Sequence, residues 1–578
     1  MAARVVCKTI ASLRQEGTYG VRRGRQHHWL RGRAQRMWSF RGAGLFLWLT
    51  PLCLLGWVQR TGAEPIVSQP LSEPAIDAAR VMSLRQRLSE HLRASAFRKV
   101  RVGVTVVDTQ SGNELYSHNA DAPFNPASNA KILTTAAAMA TLGADFRYRT
   151  VLLAPRQAGA PLAPGGVLRG DVFLQGSGDP TLRPEGLAEV VRQLRNAGVE
   201  RIEGELRMDN QVRDVGALTT EGSAQSYGSG ALILNRDRYA VYASANSAGQ
   251  LASVWVQPRS PYFVIHNHAK SVRGKRSRLS VDSVRRDGQL IISVRGRVAT
   301  RGGTARVRRR LGDSSGWAEA TLTQALADFG ITVTGGVHIG APPAGPLAVV
   351  AEHVSEPLSK ICHIVNKDSD NYIADIVFKT LGAARYGLPG TLEKGARAVS
   401  EWAGEQGLRP ERVHLINGSG LTHSNRLRPG DLGQLLNKLY HELDVGPEFL
   451  QSLAVGGIDG TIHHRFHGSV AGQVRAKTGT LFGVSVLSGY VGDRPGVLVF
   501  CIFVQGFRGR RLESIRHAQA RIVETLLRFV RDGEPGGLPA DSAPRLPPAG
   551  PTPGPPELGA PDGTAPDGSA AEGEDDEA

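Results

Sequence analysis

The chain has 578 residues, 41% of them apolar, and 69 Lys+Arg against 53 Asp+Glu. That length and apolar content suit a large core split over several domains, and they exclude a chain that is disordered throughout. Four cysteines in such a length exclude a disulfide-built scaffold, and the net charge of +16 calls for an account of where the cations sit.

In chain order, residues 1–41 are basic and irregular, and the apolar run Gly44–Val58 is short for a bilayer span. Small residues follow at Thr61 and Ala63. This reads as a secretory signal peptide cleaved near Ala63, with Met37 as an alternative start, and it predicts a periplasmic or secreted protein; an uncleaved anchor is the other reading. The stretch from Arg98 to Lys131 predicts two strands around a Ser-Gly-Asn turn, then a loop and a helix starting near Ser128. Between about Phe146 and Gly345 short alternating strands dominate, interrupted by only two helical patterns, with no repeat of fixed period. Further on, "GVSVLSGYVG" and "GVLVFCIFVQG" predict buried antiparallel strands, and "LESIRHAQARIVETLLRFVR" a helix with Ile515, Ile522, Leu526 and Phe529 on one stripe. The two ends of the folded region therefore make one α/β unit, interrupted by a β-rich insertion that forms one or two further domains. The predicted division is a leader over 1–63, a first part over 64–148, the insertion over 149–345, a second part over 346–531 and a disordered tail over 532–578.

The charge follows this division. The leader has eleven Lys/Arg and one Glu, the Pro/Gly/Ala tail eleven acids and one Arg, so 64–531 keeps the whole surplus. Fourteen Lys/Arg and two Asp fall between Lys270 and Arg310. In an exported protein such a stripe faces anionic wall or envelope polymers rather than nucleic acid; a solvated face of short strands is the plainer reading. Cys362 and Cys501 sit in apolar contexts and are expected to be buried free thiols.

The chemistry starts at "NPASNAKILTTAAAMA". A serine hydroxyl needs a base within hydrogen-bond reach. Position i+3 of a helix shares the face of position i, so Lys131 can point at Ser128. Crowding by apolar neighbours lowers a lysine pKa and lets it act as that base. Ser-x-x-Lys alone is a weak signal. Here "DSDNYIAD" adds Ser369 and Asn371, and "VRAKTGTL" adds Lys477, Thr478, Gly479 and Thr480 ahead of a buried strand. A second hydroxyl, an amide and a second cation are the remaining parts of an acyl-transfer site.

With these three motifs in this order, the chain resembles the D-alanyl-D-alanine carboxypeptidase/endopeptidase family, the low-molecular-mass class C penicillin-binding proteins. "QGSGDPTL", "ALILNRD", "NGSGLTHSNRLRP" and "LAVGGIDGTI" resemble further stretches of that family, so the likeness covers nearly all of 75–530. It implies a penicillin-recognising serine transferase fold, an antiparallel sheet flanked by helices, over 64–148 and 346–531. It also implies Ser128 as the acylated nucleophile and Lys131 as its base, with Ser369 and Asn371 flanking the scissile bond and Lys477 completing the network. Thr478 and Thr480 would hold the terminal carboxylate, and the N–H groups of Ser128 and Thr480 would form the oxyanion hole. The implied ligands are peptidoglycan stem peptides and β-lactams, with no metal or organic cofactor.

Two rival functions remain open on these residues, a serine β-lactamase and a non-catalytic wall-binding protein. The extra domains weigh against the first and the intact chemical groups against the second. The chain departs from the family at the side-chain pocket. His423 stands where relatives that favour diaminopimelate peptides carry an arginine, and Glu221 is the sole acid in the partner stretch. Arginine stays cationic at every relevant pH and histidine does not, which predicts weaker and more pH-dependent recognition unless Arg426 supplies the charge. His463, His464 and His467 lack the acidic or thiol neighbours of a metal site, and Asp209 and Asp459 are expected to brace loops.

Overall fold

The structure is a computed structural model that describes residues 78–155, 166–209, 230–312, 314–342, 345–493 and 496–532. The signal-peptide reading, Met37, Glu221 and the acidic tail fall outside these residues.

The α/β unit is built on a six-stranded, wholly antiparallel sheet in the order Ala454–Val455, Val474–Leu481, Val484–Val491, Leu498–Gln505, Arg101–Asp108, Glu114–His118. The first strand of the unit thus pairs with the last, from Arg101 opposite Gln505 to Asp108 opposite Leu498. Strand Leu498–Gln505 is apolar at almost every position because both its faces are covered. Phe500, Ile502 and Val504 face one core, with Leu84 and Leu88 of helix Ala78–Leu92 and Ile515, Ile522 and Leu526 of helix Leu512–Arg531. Val499, Cys501 and Phe503 face the other core, among the helices Ala130–Leu142, Asn371–Tyr386 and Pro429–His441. This is the period-two alternation of a strand, doubled by cover on both sides. Phe529 lies on the predicted stripe but is only partly buried, at the end of its helix.

A third core, running from Leu152 to Ala351, belongs to the insertion. Its five-stranded sheet has the order Val337–Ile339, Leu206–Asp209, Val172–Gly176, Arg149–Pro155, Leu347–Val354. The chain enters along Arg149–Pro155 and leaves along Leu347–Val354, paired antiparallel, so the insertion is closed at its neck by one strand pair. Helices Pro184–Asn196 and Ser315–Asp328 cover this sheet, and three smaller three-stranded sheets complete the unit. The sequence reading passed over strands Arg278–Arg286 and Ala305–Arg310 because their exposed arginines hide the alternation. Cys362 and Cys501 are free thiols buried in the core that also holds Val499 and Phe503. Asp459 accepts the Val455 N–H at 2.7 Å and braces its loop, whereas Asp209 accepts the Gln175 side-chain amide at 3.0 Å from the paired strand and so ties two strands together instead of a loop.

Candidate active site

The chain reaches the nucleophile through a turn, Ala127–Asn129, that runs directly into helix Ala130–Leu142. Ala127 has φ 44°, in the left-handed region that a Cβ disfavours, at a cost of about 1–3 kcal/mol. Asn125 holds it there. Its Oδ1 accepts the Ala127 N–H at 2.7 Å while its Nδ2 donates to the Thr422 carbonyl at 2.8 Å. Asn129 ties the other side of the turn by donating to the Lys477 carbonyl at 3.1 Å. Ser128, between them, is half-buried.

Lys131 is fully buried on the first turn of that helix. Its Nζ lies 3.1 Å from Ser128 Oγ and donates to Asn371 Oδ1 at 2.7 Å and to the Ser419 carbonyl at 2.6 Å. A neutral amine has two N–H bonds and one lone pair. The two shorter contacts occupy the N–H bonds, which leaves the lone pair directed at the serine hydroxyl. Burial pulls the Lys131 pKa down to about 7, against the opposing pull of Asp375 and Asp370. Lys477 is equally buried, and its Nζ donates to Ser369 Oγ at 2.9 Å and to the Thr478 carbonyl at 3.0 Å. Burial, and then the charge of Lys131, hold it well below the usual lysine value. None of these contacts is to a carboxylate, so the site disfavours two charged lysines at once.

The fold thus brings together Ser128, Lys131, Ser369, Asn371 and Lys477 from three distant segments. Thr478 and Thr480 share one face of strand Val474–Leu481. Gly479 between them lies against the nucleophile turn: a Cβ there would stand 2.9 Å from the Pro126 carbonyl oxygen and 3.1 Å from Ala127 Cβ. That approach, with the Asn129 bond to the Lys477 carbonyl, seats the strand against the nucleophile turn. Thr478 Oγ1 donates to Thr461 Oγ1 at 2.8 Å, and Arg516 Nη2 reaches Thr480 Oγ1 at 3.4 Å. His423 is exposed on the loop whose Thr422 carbonyl accepts from Asn125, and Arg426 donates to the carbonyls of His423 and Asn425. His463 and His467 close turns through the carbonyls of Gly460 and His464.

Several participants escaped the sequence reading. Asp375 is one: its charge opposes the effect of apolar crowding on Lys131. It sits one helical turn after Asn371 and ends the quoted stretch "DSDNYIAD", so position i+4 was its signal. Its Oδ1 accepts the Ser419 N–H at 2.8 Å, and Ser419 presents its carbonyl to Lys131. Burial raises the pKa of Asp375, with the Ser419 hydrogen bonds opposing. Asp375→Asn keeps an acceptor for Ser419 and deletes the charge that raises the Lys131 pKa. Lys131 then loses its proton at lower pH, so the acidic limb of the acylation rate should move to lower pH. A pH profile of acylation by penicillin checks this, and an unmoved limb would refute it.

Arg236 is the second. "QGSGDPTL" and "ALILNRD" interlock through Gly178 N–H to the Ala231 carbonyl at 3.1 Å and Asn235 N–H to the Leu182 carbonyl at 2.7 Å. At their junction Asn235, Arg236 and Asp237 all have positive φ. The strained turn delivers Arg236 Nη1 to Asp370 Oδ2 at 3.0 Å, where the carboxylate side chain is 5% exposed. Asp370 Oδ1 in turn caps helix Asn371–Tyr386 by accepting the Ile373 N–H at 2.9 Å. The insertion therefore braces the Ser369-Asp370-Asn371 loop, whose Ser369 also has positive φ, 58°. Arg236→Ala should slow acylation by about 10²-fold, the scale of a misplacement near 1 Å. Arg236→Lys should recover part of it. Acylation rates beside circular dichroism of the folded variants are the measurement, and a wild-type rate in Arg236→Ala would remove the bracing role.

Comparison with known proteins identifies the family. The family model of the D-Ala-D-Ala carboxypeptidase 3 (S13) family matches residues 84–526. A D-alanyl-D-alanine carboxypeptidase of Actinomadura sp. (strain R39) is 31% identical over 496 residues, covering 82% of this chain and 88% of that protein. D-alanyl-D-alanine carboxypeptidase DacB of Haemophilus influenzae is 25% identical over 468 residues, covering 78% and 93%. The crystal structure of penicillin binding protein 4 from Haemophilus influenzae superposes with a TM-score of 0.63 at 24% identity, covering 78% of this chain and 98% of that one, so the penicillin-recognising fold with extra domains is shared. The family match spans the Ser128, Ser369 and Lys477 motifs and the insertion between them, and the chain belongs to the D-Ala-D-Ala carboxypeptidase 3 (S13) family of serine peptidases.

Proposed function

We propose that the chain is an exported serine D,D-peptidase. It would remove the terminal D-alanine of peptidoglycan stem peptides and cleave D-Ala–diaminopimelate cross-links through an acyl-enzyme that penicillin also forms. The observation that carries the reading is the Lys131 amine, buried, held by Asn371 and the Ser419 carbonyl, and 3.1 Å from Ser128 Oγ. Ser128 Oγ attacks the penultimate D-alanine carbonyl carbon as its proton passes to the Lys131 lone pair. The oxyanion is received by the Ser128 and Thr480 N–H groups. The C–N bond breaks, and the departing amine takes a proton through Ser369, which Lys477 holds by hydrogen bond. Water then attacks the ester and restores the Ser128 hydroxyl. Thr478, Thr480 and the nearby Arg516 would receive the terminal carboxylate. Export rests on the signal-peptide pattern before Ala63. The test is incubation with labelled penicillin. A covalent adduct on the wild-type protein and none on Ser128→Ala is expected, together with release of D-alanine from a diacyl-D-Ala-D-Ala peptide. An adduct on the alanine variant, or an adduct hydrolysed within seconds as in a β-lactamase, would overturn the reading.

Side-chain selectivity follows from His423 and Glu221. Arg426 is engaged with the carbonyls of its own loop, which leaves His423 exposed beside the nucleophile turn. His423→Arg should raise the ratio of turnover on a diaminopimelate peptide to turnover on diacyl-D-Ala-D-Ala, because a guanidinium binds a carboxylate through two parallel bonds. A ratio indifferent to this substitution would show that His423 does not read the side chain.

A further inference from the structure

The three-stranded sheet of the insertion turns the basic run into a surface. Strand Phe263–Val272 pairs in parallel with Gln289–Ala299, which pairs antiparallel with Arg278–Arg286. The register sets Lys270 opposite Arg297 and Arg297 opposite Arg278. Three cations thus form one row across three strands. The next row on the same face is His268, Arg295 and Ser280. All six side chains are exposed, while Ala269, Val294, Val298 and Val281 of the opposite face are buried. The turn after Val272 folds onto the end of this sheet, with Arg301 N–H donating to the Gly274 carbonyl at 2.9 Å and Ala299 N–H to Ser277 Oγ at 3.0 Å. That brings the exposed Lys275 and Arg301 to the Lys270 end. Of the row cations and Arg295, only Arg295 has an ion pair among the described residues, with Asp282 at 3.7 Å, and both are exposed.

Like charges directly opposite across strands destabilise a sheet. A row of three is therefore maintained against folding stability, and an anion laid across it would relieve the repulsion. The grid repeats at about 5 Å between strands and about 7 Å between alternate residues. A polymer bearing a phosphodiester in every short repeat supplies charges at that density. Guanidinium groups also bind phosphate oxygens bidentately.

We infer that the outer face of this sheet, centred on Lys270, Arg278, Arg295 and Arg297, binds a phosphodiester-linked anionic polymer of the cell envelope. The inference rests on the export reading for the identity of the polymer and is independent of the chemistry at Ser128. Binding tethers the enzyme to the wall while the α/β unit works on stem peptides, so the gain is in local concentration and not in chemistry.

The experiment measures binding of the full chain to poly(glycerol phosphate) chains of about twenty repeats, over a range of NaCl concentrations. The comparison is the triple variant Lys270→Gln/Arg278→Gln/Arg297→Gln. The wild type should bind with an affinity that falls steeply with salt. The variant should bind at least tenfold more weakly, and its log–log salt slope should be shallower by about 2, as three lost phosphate contacts imply. The variant should melt no lower than the wild type, because the row repels itself, and should be acylated by penicillin at the wild-type rate. Unchanged binding by the variant would overturn the inference. So would equal affinity for peptidoglycan stripped of phosphate polymers, or tighter binding of single-stranded DNA of equal charge at equal salt. Loss of penicillin acylation by the wild type itself would count against the peptidase reading alone.

Discussion

Lys131→Ala is expected to lower the rate of acylation by penicillin by at least about 10⁴-fold while the protein remains folded, the scale seen when one member of a nucleophile–base unit is removed. The amine touches Ser128 Oγ, Asn371 and the Ser419 carbonyl. Its removal takes away the proton acceptor and leaves Ser128 with the reactivity of an ordinary alcohol. Lys131→Arg should fail equally, because a guanidinium keeps its proton at every accessible pH. A second readout separates a base from a structural cation. Burial depresses the folded-state pKa of Lys131 to about 7. An unfolded lysine titrates near pH 10.4. Between those values the unfolded chain holds a proton that the folded chain has released, so stability rises with pH across the window. Lys131→Met should remove up to one proton's share of that slope, about 1.4 kcal/mol per pH unit, with Lys477 contributing in the same direction. Rapid-mixing acylation kinetics and urea melts from pH 7 to about pH 10 measure the two effects. Near wild-type acylation in Lys131→Ala would refute the assignment.

Gly420→Ala is expected to be nearly as damaging, although this residue carries no functional group. Gly420 has φ +81°, and a Cβ built on it would stand 1.8 Å from the Ala127 carbonyl oxygen and 3.0 Å from the Ser128 nitrogen. No side-chain rotation can relieve a clash with backbone. The loop or the nucleophile turn must move, and the turn is already strained at Ala127 and anchored by Asn125 to the same loop. Placing a Cβ at positive φ costs about 1–3 kcal/mol before the clash is counted. A shift of the Ser128 amide near 1 Å costs about 10²-fold in rate, and a moved Ser419 carbonyl loosens Lys131 further. The variant should therefore lose at least about 10³-fold in acylation and melt several degrees lower. Acylation rate and melting temperature, set beside a control such as Gly407→Ala on a surface loop with nothing within 4 Å of the added Cβ, test this. An active Gly420→Ala protein would mean that the loop and the turn are not held as tightly as their contacts indicate.

Local rules were enough for some of this molecule. Ser128 and Lys131 meet because one helical turn puts residues i and i+3 on one face, a relation that needs no tertiary information. The alternation along Leu498–Gln505 and the stripe on Leu512–Arg531 state their cores for the same reason, since the period of each element is a property of the backbone. The short alternating strands after Phe146 likewise mark the insertion that separates Lys131 from Ser369. Tertiary packing decided what those groups touch. Asp375 and the Ser419 carbonyl are far apart in the chain, and only the packing of helix Asn371–Tyr386 against the 417–420 loop lets one position the other beside Lys131. Arg236 reaches Asp370 only because two segments of the insertion interlock into a strained turn. The requirement for glycine at 420 comes from a backbone approach between residues separated by nearly three hundred positions. The basic run from Lys270 to Arg310 is merely a composition until strand register sets Lys270, Arg297 and Arg278 side by side, and a shift of one residue would send each of them to the other face. Periodicity is local and therefore legible in sequence. Contact and register arise from cores that close between distant segments, and they exist only once the chain has folded.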